Sequence, residues 1–270
     1  WLCKTLERKK QMYAFDIERP KTLAEAVVAL KDDAQALSGG QTLIPTLKAR
    51  LASPAKLVSL SGIAELKGLC SSDGVLTIGG ATCHADVAAD GTFKALSDLA
   101  AHIGDPAVRN RGTIGGSIAN NDPAACYPAA ALGAGATIVT NTREISADDF
   151  FQGMFETALD EGEIVTAVKF PILEKANYQK FVQPASRFAL VGVFVAQTAD
   201  GVRVAVTGAS NEGVFRWKEA EAALSADFSA ASLEGLTLGA DDMISDLHGS
   251  SEYRAHLVKV MTQRAVNAAA

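Results

Sequence analysis

Two glycine-centred segments, some seventy residues apart, constrain this chain more than any other feature. The first is Ser38-Gly39-Gly40-Gln41-Thr42-Leu43-Ile44-Pro45. The second runs Gly112-Thr113-Ile114-Gly115-Gly116-Ser117-Ile118-Ala119-Asn120-Asn121-Asp122-Pro123. Paired glycines let a backbone approach a ligand closely and aim several N–H groups one way. One such segment is an ordinary turn. Two of them, with Thr42, Thr113 and Ser117 as hydroxyl donors, suggest two walls around a diphosphate. An N–H bond to a charged phosphate is worth roughly 1.5–3 kcal/mol, so converging donors can hold a diphosphate without lysine or arginine. Arg109 and Arg111 beside the second segment either add charge or pair with acids; the sequence leaves both open.

The usual nucleotide signatures are missing. Gly133-Ala134-Gly135 is the only GxG and lacks the third glycine of a dinucleotide fingerprint. There is no GxxxxGK[ST] loop and no GxSxG elbow. His84, His102, His248 and His256 are scattered, in no metal-ligand spacing, and read as core or surface residues; His102, beside Ile103, is nearest the second segment. Cys3, Cys70, Cys83 and Cys126 show no CxxC spacing, which speaks against a metal cluster or a disulfide framework. Buried free thiols in a cytoplasmic protein are expected. Net charge of −6 argues against nonspecific nucleic-acid binding. No apolar run approaches the ~18 residues of a membrane span, and no secretory signal is visible. Met12 reads as a natural start, so residues 1–11 are set aside from the fold reasoning.

With 48% hydrophobic and 21% charged residues, the 270-residue chain has the means for a substantial core. Thr22 followed by Glu25 predicts a capped helix over Lys21–Leu30. Ala34–Leu37 and Leu57–Leu60 read as strands around a short helix over Leu43–Leu51, giving an α/β unit over 12–62. A second unit, 63–172, holds strands at Val75–Gly80, Ala136–Thr140 and Ile164–Phe170. Its helices are predicted over His84–Ala89, Phe93–Ile103 and Pro128–Leu132, and Asp148–Phe151 helps to close it. From 173 to 270 an α+β domain is predicted. Runs Phe188–Gln197 and Val202–Gly208 flank Ala199-Asp200-Gly201, a hairpin signal. Helical patterns follow over Phe215–Leu224, Ala230–Leu236 and Tyr253–Ala268, with Trp217 read as packing.

Together these residues resemble the FAD-binding medium subunit of the molybdenum hydroxylases, the carbon monoxide and xanthine dehydrogenase type, from Met12 to the end. Ser38–Thr42 resembles the family's AGGHS-type loop and Thr113–Ser117 its TIGGN-type loop, both implied to contact the FAD diphosphate through backbone. Ile78–His84 is similar to an IGA-x-T-x-H stretch. Glu163-Ile164-Val165 precedes the strand to Pro171, with Val165 the apolar match near the cofactor. Tyr178–Phe181 resembles YxKF, whose lysine lies close to the flavin. Ala185–Ala189 resembles ASRYA, with Phe188 at the aromatic that shields a flavin face. Tyr253-Arg254 resembles a C-terminal helix motif read as structural. Cys126 stands where the family usually has an Asp that binds a polar part of FAD. A thiol donates only weakly, and Asp122 is retained; the alternative is that Cys126 is simply a small buried residue.

The implied fold is α+β: an FAD-binding domain of the molybdopterin dehydrogenase type made of two small α/β units, plus a C-terminal antiparallel sheet with helices. The implied cofactor-binding set is Ser38, Gly39, Gly40, Gln41, Thr42, Leu43, Ile103, Thr113, Gly115, Gly116, Ser117, Asn120, Asp122, Cys126, Val165, Lys180 and Phe188. No catalytic residue and no metal ligand is implied. The implied partners are a large molybdenum-cofactor subunit and a small [2Fe-2S] subunit, in a dimer of heterotrimers, with NAD, a quinone or oxygen as electron acceptor. The rivals are a free-standing flavin oxidase and a nonenzymatic nucleotide-binding or interaction subunit.

Overall fold

A computed structural model describes residues 12–269. Residues 1–11, with Cys3, lie outside the described residues. The N-terminal strands β1 (Asp16–Glu18), β2 (Ala34–Leu37) and β3 (Lys56–Ser59) form a parallel sheet in the order β1-β3-β2. Helix α1 (Leu23–Ala29) is capped as expected: Thr22 Oγ1 accepts from the Glu25 N–H. Helix α2 (Leu43–Lys48) leaves the first glycine segment. Ala26, Ala29 and Leu30 pack on Val58, Leu60 and Ile63, and this core extends to Ala81 and Ile164 farther along the chain.

Next comes a five-stranded antiparallel sheet of order β4-β5-β10-β6-β7. Its members are β4 (Leu69–Ser72), β5 (Val75–Gly79), β6 (Thr137–Thr140), β7 (Glu144–Ser146) and β10 (Val165–Pro171). The pair β8 (Phe151–Gly153) and β9 (Glu156–Thr157) forms a small separate hairpin. Helices α3 (His84–Asp90), α4 (Lys94–Ala101), α5 (Pro106–Arg109), α6 (Ile114–Asn120), α7 (Cys126–Ala134) and α8 (Ala147–Phe150) lie between its strands in sequence, and α6, α7 and α8 contact the sheet.

The C-terminal sheet is antiparallel, order β11-β12-β13-β14, from β11 (Ala176–Val182), β12 (Ala189–Thr198), β13 (Gly201–Ser210) and β14 (Gly213–Arg216). The hairpin at Ala199-Asp200 forms where its turn signal predicted. Helices α9 (Lys218–Ala226) and α10 (Ser251–Ala269) complete the described chain. Strand β12 is buried on both faces. Val191, Val193 and Val195 face α9 and α10, while Phe194 and Ala196 join the core built around α7. Every residue of α7 is buried, as expected of a helix apolar all round. At Gly133 a Cβ would lie 2.8 Å from the Phe194 ring, so the helix approaches the sheet closely there.

Four expectations need correction. The second glycine segment is not a loop: Ile114–Asn120 is helix α6. Phe215 belongs to β14, and the helix predicted from it starts at Lys218 instead. Ala230–Leu236 shrinks to a 3₁₀ turn over Ala230–Leu233. The thiols also differ from expectation: among the described residues Cys126 alone is buried, while Cys70 is exposed and Cys83 half-buried. Trp217 is a packing residue, 1% exposed. Arg254 is buried, donating to the Leu190 and Gly208 carbonyls and pairing with Asp246. No described helix is long and apolar enough to cross a membrane.

Candidate cofactor cleft

The two glycine segments meet backbone to backbone. A Cβ on Gly39 would lie 2.2 Å from the Arg111 carbonyl oxygen and 2.7 Å from Gly112 Cα. One on Gly115 would lie 2.6 Å from the Gly80 oxygen, and one on Gly80 would lie 2.2 Å from the Val165 oxygen. Side chains at these positions would force apart segments that now stack directly. Ser38 and Thr113 share a hydroxyl–hydroxyl hydrogen bond of 2.8 Å across the junction. His84 adds a wedge beneath it: its N–H donates to the Gly112 oxygen, and its Nε2 fills the space a Cβ on Gly112 would need.

The segments differ in what they leave free. The N–H groups of residues 39–43 find no acceptor among the described residues. Five consecutive free donors, with Gly40 in the left-handed region at φ +73, make a concave anion site of the nest kind. In the second segment the donors are occupied. Ile114 N–H bonds to the Thr82 oxygen, Gly115 N–H to the Gly80 oxygen and Ser117 N–H to the Thr113 oxygen. Gly116 N–H is capped by Thr113 Oγ1 at a longer 3.3 Å. Gly116 is also the open glycine: a Cβ there would meet only Thr113 Oγ1 at 3.0 Å and Ser38 Cβ at 3.8 Å. The second segment thus supplies a small, close surface and the Ser117 and Asn120 side chains rather than a second row of N–H donors.

A cleft of about 680 Å³ runs along this junction. Ser38, Gly39, Gly40, Gln41, Thr42 and Leu43 line it from the first segment, and Thr113, Gly115, Gly116, Ser117 and Asn120 from the second. Ile103 follows α4, and Asp122 and Cys126 lead into α7. Val165 enters from β10, Lys180 from β11, and Phe188 stands just before β12. The whole expected set therefore borders one cavity. Phe188 is 55% exposed, presented by a turn in which Gln183 accepts from the Ala185 and Ser186 N–H groups. Asp122 accepts from the Ala124 N–H. Lys180 donates to the His102 carbonyl at 2.8 Å and to Cys126 Sγ at 3.5 Å.

The sequence had also left open the roles of Arg109 and Arg111, and neither side chain lines the cleft. Arg109 donates to the Ile103 and Gly104 carbonyls, which holds Ile103 in place. His102 contributes its carbonyl only; its ring turns back to the Asp98 oxygen at 2.7 Å. Reading from spacing missed His84 as a builder of the site. Burial, then the Arg109 charge, lowers its pKa to about 4, so the imidazole is neutral at pH 7. Glu163 lines the cleft too, but its carboxylate is occupied by Arg143, Thr140, Thr142 and the Asp160 N–H. Arg143 above all holds it well below the usual carboxylate range.

A cleft with a row of free N–H donors on one segment, small residues on the other, and a lysine, a thiol and an aromatic side chain in its walls suits a dinucleotide. The donor row suits its charged diphosphate and the apolar and aromatic lining suits its rings. The residues present fit FAD on that ground.

Comparison with known proteins agrees. The family model described as the FAD binding domain in molybdopterin dehydrogenase matches residues 13–173. The glyceraldehyde dehydrogenase medium chain of Sulfolobus acidocaldarius is 33% identical, covering 93% of this chain and 96% of that protein. The xanthine dehydrogenase FAD-binding subunit of Escherichia coli O157:H7 is 26% identical over 93% of this chain and 94% of its own. A solved chain of carbon monoxide dehydrogenase from Hydrogenophaga pseudoflava superposes with a TM-score of 0.87 at 31% identity, covering 96% of this chain and 98% of that one.

Proposed function

Because this chain belongs to the family of FAD-binding domains of molybdopterin dehydrogenases, we propose that it is the electron-transfer medium subunit of a molybdenum-containing hydroxylase. In that role it stands between iron–sulfur clusters and an external acceptor, either NAD, a quinone or oxygen. The observation that carries the reading is the row of five free N–H groups at residues 39–43, facing a cleft that also gathers Lys180, Cys126 and Phe188. Bound FAD supplies the exchange between one-electron and two-electron transfer.

The chain's own residues bind and orient. The N–H groups of Gly39 through Leu43 hold the diphosphate, and Gly116 lets it lie close. Ser117 and Asn120 offer side-chain hydrogen bonds, and Asp122 takes the polar contact that Cys126 makes only weakly. Ile103 and Val165 pack against rings. Lys180, anchored by the His102 carbonyl, sets a cation beside the flavin, and Phe188 covers one ring face from the exposed rim. No residue here is asked to move a proton for substrate, because substrate oxidation belongs to the large subunit.

The relatives are named as medium chains or subunits, which supports a large molybdenum-cofactor partner and a small [2Fe-2S] partner, arranged as a dimer of heterotrimers. We read the boundaries of the three units as 12–62, 63–172 and 173–270. The free cysteines support a cytoplasmic location.

The test is a visible spectrum of the protein, with the cofactor released by denaturation and identified, and metal analysis of whatever purifies with it. Flavin absorption, released FAD, and iron with molybdenum in the co-purified assembly are expected. A colourless protein that takes up no FAD would sink the flavoprotein reading. A yellow chain that oxidises a substrate unaided, with no metal-bearing partner, would assign it to the flavin oxidases instead.

A further inference from the structure

Three reactive groups meet where the cleft wall joins α7 to β11, and two of them, Cys126 and Lys180, also line the cleft. Cys126, the first residue of α7, is 5% exposed. Lys180 reaches from β11 to place Nζ 3.5 Å from its sulfur, steadied by the His102 carbonyl. Tyr178, two residues earlier on the same face of β11, is 9% exposed, and its hydroxyl has no hydrogen-bond partner.

The position of that hydroxyl is built in. Gly192 pairs with Lys180 across the sheet, and a Cβ on Gly192 would lie 2.3 Å from the Tyr178 oxygen. Only glycine there lets the phenol cross to the level of Lys180. Burial first, and then the Cys126 thiol beside it, hold the phenol well above its ordinary range. A buried hydroxyl without a partner is costly, and this one lies beside the Cys126 thiol.

We propose that Cys126 and Lys180 are the site of a reversible oxidative cross-link, a single oxygen bridging sulfur to nitrogen, made by hydrogen peroxide. In the first step the thiolate attacks one peroxide oxygen. The S–O bond forms and the O–O bond breaks, giving a sulfenic acid and hydroxide, which takes up the proton the thiol had released and departs as water. In the second step Lys180, having given its ammonium proton to solvent, forms an N–O bond to that oxygen. A second peroxide takes the two electrons, and the sulfenic proton and one amine proton leave with its oxygens as two waters. Sulfur and nitrogen are each oxidised by two electrons, and two peroxides are reduced. The bridging oxygen supplies the acceptor that Tyr178 lacks. The bridge ties β11 to α7 and removes the Lys180 cation from the cleft.

Peptide mass spectrometry of the full chain after peroxide treatment tests this. The expected product is a cross-linked pair of peptides, one holding Cys126 and one holding Lys180, with their summed mass plus one oxygen less two hydrogens. It disappears with dithiothreitol and is absent from Cys126→Ser and from Lys180→Arg. Sulfinic or sulfonic Cys126 with Lys180 unmodified would overturn the proposal, as would a Cys83–Cys126 disulfide or a cross-link that survives in Lys180→Arg. The masses and the attachment sites are read on the unaltered chain, so the assignment stands even where a variant fails to fold.

Discussion

Gly116→Val separates binding from folding at the second glycine segment. The Cβ of any new side chain at 116 meets Thr113 Oγ1 at 3.0 Å and Ser38 Cβ at 3.8 Å, with open cleft beyond. The protein therefore accommodates a methyl by moving one hydroxyl a few tenths of an ångström. Two small terms oppose each other. Replacing glycine in a helix interior gains a few tenths of a kcal/mol. Weakening the Thr113 cap on the Gly116 N–H, 3.3 Å long at present, costs up to about 1 kcal/mol. The net change is below about 1 kcal/mol, which moves Tm by about 2–4 °C or less.

On the proposed placement binding suffers far more, because the valine methyls take the space assigned to the diphosphate. Losing one or two charge-assisted hydrogen bonds at about 1.5–3 kcal/mol each weakens FAD affinity by roughly ten- to twenty-thousand-fold. The assay is flavin content of purified protein and fluorescence titration with FAD, beside thermal unfolding of the cofactor-free chain. Full FAD occupancy in a folded Gly116→Val protein would refute the placement of the cofactor along this surface.

Other expectations follow from the same contacts. Gly39→Ala puts a methyl 2.2 Å from the Arg111 carbonyl oxygen, so it should lower Tm of the cofactor-free chain well beyond the Gly116→Val change; an unaltered Tm would show that the segments are not interlocked. A double-mutant cycle on Ser38→Ala and Thr113→Ala should give a coupling of about 0.5–1.5 kcal/mol for their 2.8 Å hydrogen bond, whereas strict additivity would dissolve the contact. His84 is neutral in the fold, with a pKa lowered from 6.5 to about 4 by burial and Arg109. Between those values the unfolded chain takes a proton that the folded chain does not, so stability falls as pH drops through this window, by about 3 kcal/mol at its lower end. His84→Gln should flatten that part of a stability-against-pH curve, and an unchanged slope would remove His84 as its source.

What was legible in the sequence had local causes. Thr22 with Glu25 marks a helix start through a cap, and Asp200-Gly201 marks a hairpin through its turn chemistry. What was not legible had tertiary causes. Gly115 and Gly116 are poor helix formers, so the second segment reads as a loop. It is helical because Thr113 caps it and because Gly115 packs directly on the Gly80 backbone, a partner thirty-five residues away. Strands β1 and β4 carry mostly polar, exposed residues, leaving no alternation to read. The register of β10 between β5 and β6 depends on pairings across long stretches of chain. At the site, the glycines and Lys180 were visible as motif residues. The difference between a segment with free N–H groups and one with occupied N–H groups was not, since it depends on acceptors at Thr82 and Gly80. His84 was legible as a core or surface residue and as the end of the Ile78–His84 stretch, but its place beneath Gly112 was not, since a lone histidine carries no spacing signal.

The central claim is that residues 39–43 hold the diphosphate of FAD. A crystal structure of the chain with its flavin bound tests it most directly. The account expects diphosphate oxygens within hydrogen-bond distance of the N–H groups of Gly39 through Leu43, with the ring system extending towards Lys180 and Phe188. A flavin whose diphosphate lies away from those N–H groups, or a cleft that takes no FAD at saturating concentration, would contradict it.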